Sequence, residues 1–216
     1  MYYQEGVYDQ EQRDTTNLLT VEINFKDGDG DLGLDRNNSI DSEEPYNAIW
    51  YFLKDGTAVD KNISPYNEMD SSAFITFDDR STPPYDTLPP YAPPYNCINY
   101  LVEGSYTYYF KQNLNHYNIF VDFYVKKNGQ WNFYNWLTAN PSQCGETYNG
   151  RFPLLNESGT TRPLEGSLKY DMVGAAFGVI FKLDTLKLQI RIQDRALHKS
   201  NMVETPEFVL RDITIN

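Results

Sequence analysis

Catalytic and metal-coordinating side chains are scarce in this sequence. The 216 residues contain two cysteines and two histidines. No CxxC pair occurs, and His116 and His198 lie near neither Cys97 nor Cys144 in sequence, which argues against a zinc site. No GxSxG, HExxH or phosphate-binding glycine loop is present. With only two histidines, a serine-type triad has few ways to form. Adjacent acids such as Glu43 and Glu44, or Asp78 and Asp79, read as solvated faces rather than a glycosidase pair. The expectation is a chain that is not an enzyme. Basic charge is also scarce: 18 Lys and Arg against 30 Asp and Glu give a net charge of −12. Such a surface repels nucleic acid and anionic membrane and attracts cations. No secretory signal is recognisable and no apolar run reaches transmembrane length. The longest uncharged apolar run, residues 172–181, reads as a buried strand region with a glycine-relieved bend.

Aromatic residues, in contrast, are abundant. They make up 15% of the chain, with 18 Tyr and 12 Phe, and tyrosine suits half-exposed strand faces. Leu19, Val21, Ile23 and Phe25 alternate with Thr20, Glu22 and Asn24, the period of a half-buried strand. Leu186, Leu188, Ile190 and Ile192 alternate with Lys187, Gln189 and Arg191 in the same way. Further strands are predicted over residues 48–53, 74–77, 106–110, 117–125 and 131–136, with a final strand over 207–215. Turn signals stand at 54–56 and at 126–129. The Pro-Pro-Tyr repeats between residues 83 and 95 predict an extended polyproline surface segment. No sustained helical period appears. The pattern predicts an all-β, antiparallel sandwich: a loose lead-in over 1–16 with at most a short edge strand, then a single domain over 17–216 with a large insertion over about 36–165.

The densest chemistry lies directly after the first alternating strand. Asp27, Asp29, Asp31 and Asp35 are interleaved with Gly28, Gly30 and Gly33. Close like charges repel, and a divalent cation turns that repulsion into attraction. Ca²⁺ suits clustered carboxylate oxygens best. The spacing departs from an EF-hand: the glycine falls at position 7 rather than 6, position 12 is Asn38, and no flanking helices are predicted. In a sandwich, the loop after Ile192 would sit at the same end and bring Asp194 close. The expected structural Ca²⁺ set is therefore Asp27, Asp29, Asp31 and Asp194, with Asp35 in reserve. The competing reading is a solvated acidic turn, with Asp194 paired to Arg195 or Arg36.

Cys97 and Cys144 read as a disulfide in an exported chain, adding about 4 kcal/mol on chain-entropy grounds. Trp131 and Trp136 are candidates for a sugar-stacking platform, set against ordinary strand packing.

The segment Phe25-Lys-Asp-Gly-Asp-Gly-Asp-Leu-Gly-Leu34 and the closing Ile192-Gln-Asp-Arg-Ala-Leu-His-Lys-Ser-Asn-Met-Val-Glu-Thr-Pro-Glu207 resemble the two ends of uncharacterised Bacteroidetes-type surface lipoproteins. They cover about a quarter of the chain. The resemblance implies an immunoglobulin-like sandwich exported to the outer-membrane surface or periplasm and tethered through a lipidated cysteine in the full precursor. It implies no activity. The long middle insertion, the proline-tyrosine segment and the absence of catalytic signals motivate a binding or interaction subunit of an outer-membrane protein complex as the expected role, and a carbohydrate-binding module for a surface glycan is the alternative.

Overall fold

The structure is a computed structural model that describes residues 1–9, 14–35, 39–90, 98–139, 147–156, 162–174 and 177–215. It is all-β and antiparallel. The chain divides into two compact units. The first comprises Met1–Leu34, Asn118–Tyr134 and Tyr148–Asn216, and the second Asp35–Tyr117 and Asn135–Thr147. The expected insertion is thus interrupted, because residues 118–134 return to the first unit.

Two sheets build the first unit. One has the order β1 (Tyr2–Asp9), β2 (Asp14–Asp27), β9 (Leu164–Val173). The expected lead-in is therefore an edge strand, with Tyr3 only 1% exposed. The other has the order β11 (Val203–Glu204), β10 (Leu186–Ile192), β7 (Ile119–Lys127), β8 (Gln130–Tyr134). The alternating residues of β10 point as their period requires: Leu186, Leu188, Ile190 and Ile192 are all buried. β7 and β8 join through Asn128 and Gly129, both at positive φ, the two-residue hairpin geometry. Phe123 on β7 packs between Phe177, Phe181 and Tyr148, with centroids 5.3–6.0 Å away. The Tyr148 carbonyl accepts from the hydroxyl of Tyr170 on β9, so one core spans both sheets.

The second unit holds one four-stranded sheet, β4 (Ala58–Val59), β3 (Ile49–Phe52), β6 (Tyr106–Gln112), β5 (Tyr100–Glu103). Its core is aromatic. Tyr51, Phe74 and Tyr108 meet edge to face at 5.8–6.3 Å. The Lys61 ammonium sits over all three rings and pairs with Glu103, which also accepts from the Tyr51 hydroxyl. Burial is possible for this lysine because ring quadrupoles and a carboxylate replace its water.

Three strand predictions differ from the structure. Residues 74–77 make only single bridges, Leu53 to Phe74 and Thr76 to Tyr108, before a 3-10 turn over Phe77–Ser81. Asp79 accepts from the Thr76 amide and hydroxyl and so favours the turn. The run 172–181 is not one buried strand: β9 ends at Val173, and Phe177–Ile180 form a helical turn, α2 after α1 (Trp136–Ala139). In α2 the spacing of four buries Phe177 and Phe181, while Val179 is 85% exposed. The last segment makes a bridge at Phe208, a 3-10 turn over Leu210–Ile213 and a bridge from Thr214 to Tyr3. In the proline-tyrosine segment, Tyr85–Thr87 form a 3-10 turn pinned by the Tyr85 hydroxyl on the Lys54 carbonyl. Its continuation at 91–97 lies outside the described residues. No helix among the described residues is long and apolar enough to cross a membrane.

Candidate metal centre

Burial fades along β2. Leu19 and Val21 are buried, Ile23 and Phe25 half-buried, and Asp27 ends the strand opposite Leu164. The chain leaves the sheet there and turns through the glycines. Gly30 has φ +76° and Gly33 φ +112°, values that side-chain-bearing residues rarely adopt. Both also lie against backbone: a Cβ on Gly30 would stand 2.3 Å from the Arg162 carbonyl oxygen, and one on Gly33 2.3 Å from that of Pro153. Leu34 donates to the Phe152 carbonyl at 3.0 Å, and Leu155 to that of Leu32 at 3.1 Å. Phe152 is in turn held by Asn118, whose amide accepts from its N–H and donates to its carbonyl, both at 2.8 Å. The acidic loop therefore rests on a fixed bed of backbone.

This folding gathers Asp27, Asp29 and Asp31. One carboxylate oxygen from each lies within 4.8 Å of the others. Asp29 is exposed, whereas Asp27 and Asp31 are half-buried. Asp27 Oδ2 and Asp31 Oδ1 are buried with no hydrogen-bond partner. The other Asp31 oxygen accepts from the Ala196 amide at 3.2 Å. Asp31 is pushed up to about 6, first by burial and then by the charges of Asp194, Asp29 and Asp27, with the Ala196 bond opposing.

Asp194 lies beside the cluster, as that electrostatic coupling requires. Its carboxylate is occupied in its own turn, however, accepting from the His198 amide at 2.7 Å and meeting His198 Nδ1 at 3.1 Å. A carboxylate oxygen has lone pairs to spare, so these contacts leave capacity for a cation. Asp35 does not join the group. It falls in the second unit, and its amide donates to Asp41 Oδ2 at 2.7 Å. The sequence reading missed the Ala196 amide, which lies across the gap between loops and carries no side-chain signal.

The elevated Asp31 pKa has a signed consequence. The folded chain holds this proton more tightly than the unfolded chain. Between about pH 4 and 6 it binds more protons, so the Asp31 contribution to stability falls as pH rises through that window and stays low above it. In chelator at pH 7, Asp31→Asn is expected to melt above the parent chain, with the difference vanishing below pH 4. In saturating calcium the order reverses, because a ligand is lost. Thermal melts at four pH values check both signs.

The aromatic candidates fall in different units. The Trp131 ring on β8 is covered by Lys126 and Lys187, at 5.3 and 4.8 Å. These lysines pair with Glu207 and Glu204. The exposed ring on that face is Phe133, at 54%. Trp136 begins α1 in the second unit. Cys97 and Cys144, and with them the expected disulfide, lie outside the described residues. Comparison with protein-family models, with curated proteins and with solved structures found no match to this chain.

Proposed function

We propose that this chain is a calcium-stabilised binding protein, exported to the outer-membrane surface or periplasm, which acts as a binding or interaction subunit rather than an enzyme. One observation carries the reading: three carboxylates converge on one point, and two of their buried oxygens make no hydrogen bond. Three carboxylate oxygens within 4.8 Å of one another can serve as neighbouring ligands of one divalent cation, and calcium's preference for several carboxylate oxygens favours it here. The loop is also half-open and its carboxylates are few. Such sites bind calcium at the 10⁻⁴–10⁻³ M level of extracellular modules, which suits an exported protein. The immunoglobulin-like type and the lipid tether rest on the sequence resemblance alone.

The non-enzymatic reading rests on the sequence, which carries no recognisable catalytic motif. The glycan-binding alternative draws less support, because paired lysines already cover the Trp131 ring.

Melting the chain in calcium and in chelator tests the metal. At a hundredfold excess over Kd, calcium should add about 2.7 kcal/mol. For a chain of this size that corresponds to a rise of about 5–10 °C in midpoint. Equal midpoints in chelator and in calcium raised to about 10–100 mM, the hundredfold excess over that Kd, would remove the proposal. Native co-purification from membranes tests the interaction role, and recovery of the chain alone would count against it.

A further inference from the structure

Within the first unit, a groove of about 670 Å³ opens between β1, α2 and the 3-10 turn over Leu210–Ile213. Its size falls in the range of small-molecule sites, about 300–1,000 Å³. Tyr3 and Leu210, 1% and 2% exposed, lie almost wholly covered beneath its floor. Val179 and Leu183 stand on its lip at 85% and 73% exposure, the most exposed large apolar side chains among the described residues. A contiguous apolar feature left open in this way marks a contact surface.

The charge of the groove opposes that of the chain. Lys182 and Arg211 line it against a single acid, Glu5, on a protein of net charge −12. Lys182 makes no ion pair with any described residue. Arg211 meets only its neighbour Asp212, through Nε at 3.2 Å, in an exposed pair that solvent screens. A groove of mixed polarity, with two cations and two exposed aliphatic side chains at its rim, fits a ligand with an apolar chain and one anionic end. A neutral sugar would leave Val179 and Leu183 uncovered and would not use the two cations.

We propose that this groove binds a single-chain amphiphile with a carboxylate head. The alkyl chain lies against Val179 and Leu183 at the lip. The head lies between Lys182 and Arg211, where guanidinium and ammonium donors meet carboxylate oxygens. The groove does not involve the acidic loop, so this site and the calcium site stand or fall separately.

Titration calorimetry of the full chain with octanoate, decanoate and dodecanoate tests the assignment. The acids are kept below their micellar concentrations, in calcium-free buffer to avoid insoluble soaps. Affinity is expected to rise with each added methylene, by less than the about fourfold of a fully buried one. The exposed double variant Lys182→Glu, Arg211→Glu should bind dodecanoate at least tenfold more weakly while melting like the parent. Val179→Asp with Leu183→Asp should flatten the chain-length dependence. Absence of binding by every acid would overturn the proposal, as would equal affinity for decyltrimethylammonium. Capture on phosphatidylglycerol vesicles without binding of the monomeric acids would also overturn it, assigning the lip to a membrane surface instead.

Discussion

Gly33→Ala is expected to destabilise the first unit by about 4 kcal/mol or more. Two costs add. The residue sits at φ +112°, where any side chain costs about 1–3 kcal/mol. The new Cβ would also stand 2.3 Å from the Pro153 oxygen and 2.5 Å from the Leu154 Cα. Both obstacles are backbone, so no rotamer change relieves the clash. The two segments must separate, and the hydrogen bonds from Leu34 to Phe152 and from Leu155 to Leu32 are strained or lost. The same separation displaces Asp31, so the calcium-dependent rise in melting temperature should shrink as well. Gly28→Ala is the control. It has nothing within 4 Å of its added Cβ and no positive φ, and should change stability by less than about 0.5 kcal/mol. Urea unfolding, with hydrogen exchange to locate the loss, checks the pair. A mild effect at Gly33 would mean that the acidic loop does not rest on the 152–156 backbone.

Phe123→Ala should cost about 3–5 kcal/mol. Phe123 is 0% exposed and lies at the junction of both sheets of the first unit. Two rings stack on it within 6.0 Å, and Tyr148 ties it to β9. Truncation leaves a cavity lined by large, rigid rings, which collapse poorly into the space. Phe123→Leu keeps most of the volume and should cost less than about 1.5 kcal/mol. Phe133→Ala, on the open face of β8, should cost less than about 1 kcal/mol because its ring is already 54% exposed. Unfolding of the two units need not coincide, so loss confined to first-unit amides is the discriminating observation. A loss shared equally by second-unit amides would contradict the division.

Amides of the aromatic box in the second unit offer a reference for both experiments. Lys61, Tyr51, Phe74 and Tyr108 hold one another through ring edges, a cation and Glu103, and none of them depends on the acidic loop. Calcium should leave their exchange unchanged.

Period two made β2 and β10 legible in the sequence, because each alternate side chain must face either core or water. The Asn128-Gly129 hairpin was legible too, since few dipeptides accept two consecutive positive φ values. Uniformly apolar or aromatic runs carry no such period. Residues 172–181 therefore suggested a strand, whereas β9 ends at Val173 and packing of Phe177 and Phe181 against Phe123 favours a helical turn over Phe177–Ile180. Residues 74–77 went the same way when the Asp79 side chain captured the Thr76 amide.

The acidic loop divides along the same line. Alternate aspartates separated by glycines sufficed to place Asp27, Asp29 and Asp31 together, because a tight turn leaves them little freedom to part. Whether Asp35 and Asp194 would join them depended on distant chain. Asp35 was drawn into the second unit and bonds to Asp41, while Asp194 came alongside but closed its own turn on His198. Local charge and backbone chemistry were written in the sequence. The bed under the loop, the Ala196 amide and the cationic groove at α2 came from segments far apart in the chain, and only the closing of the sheets brought them together.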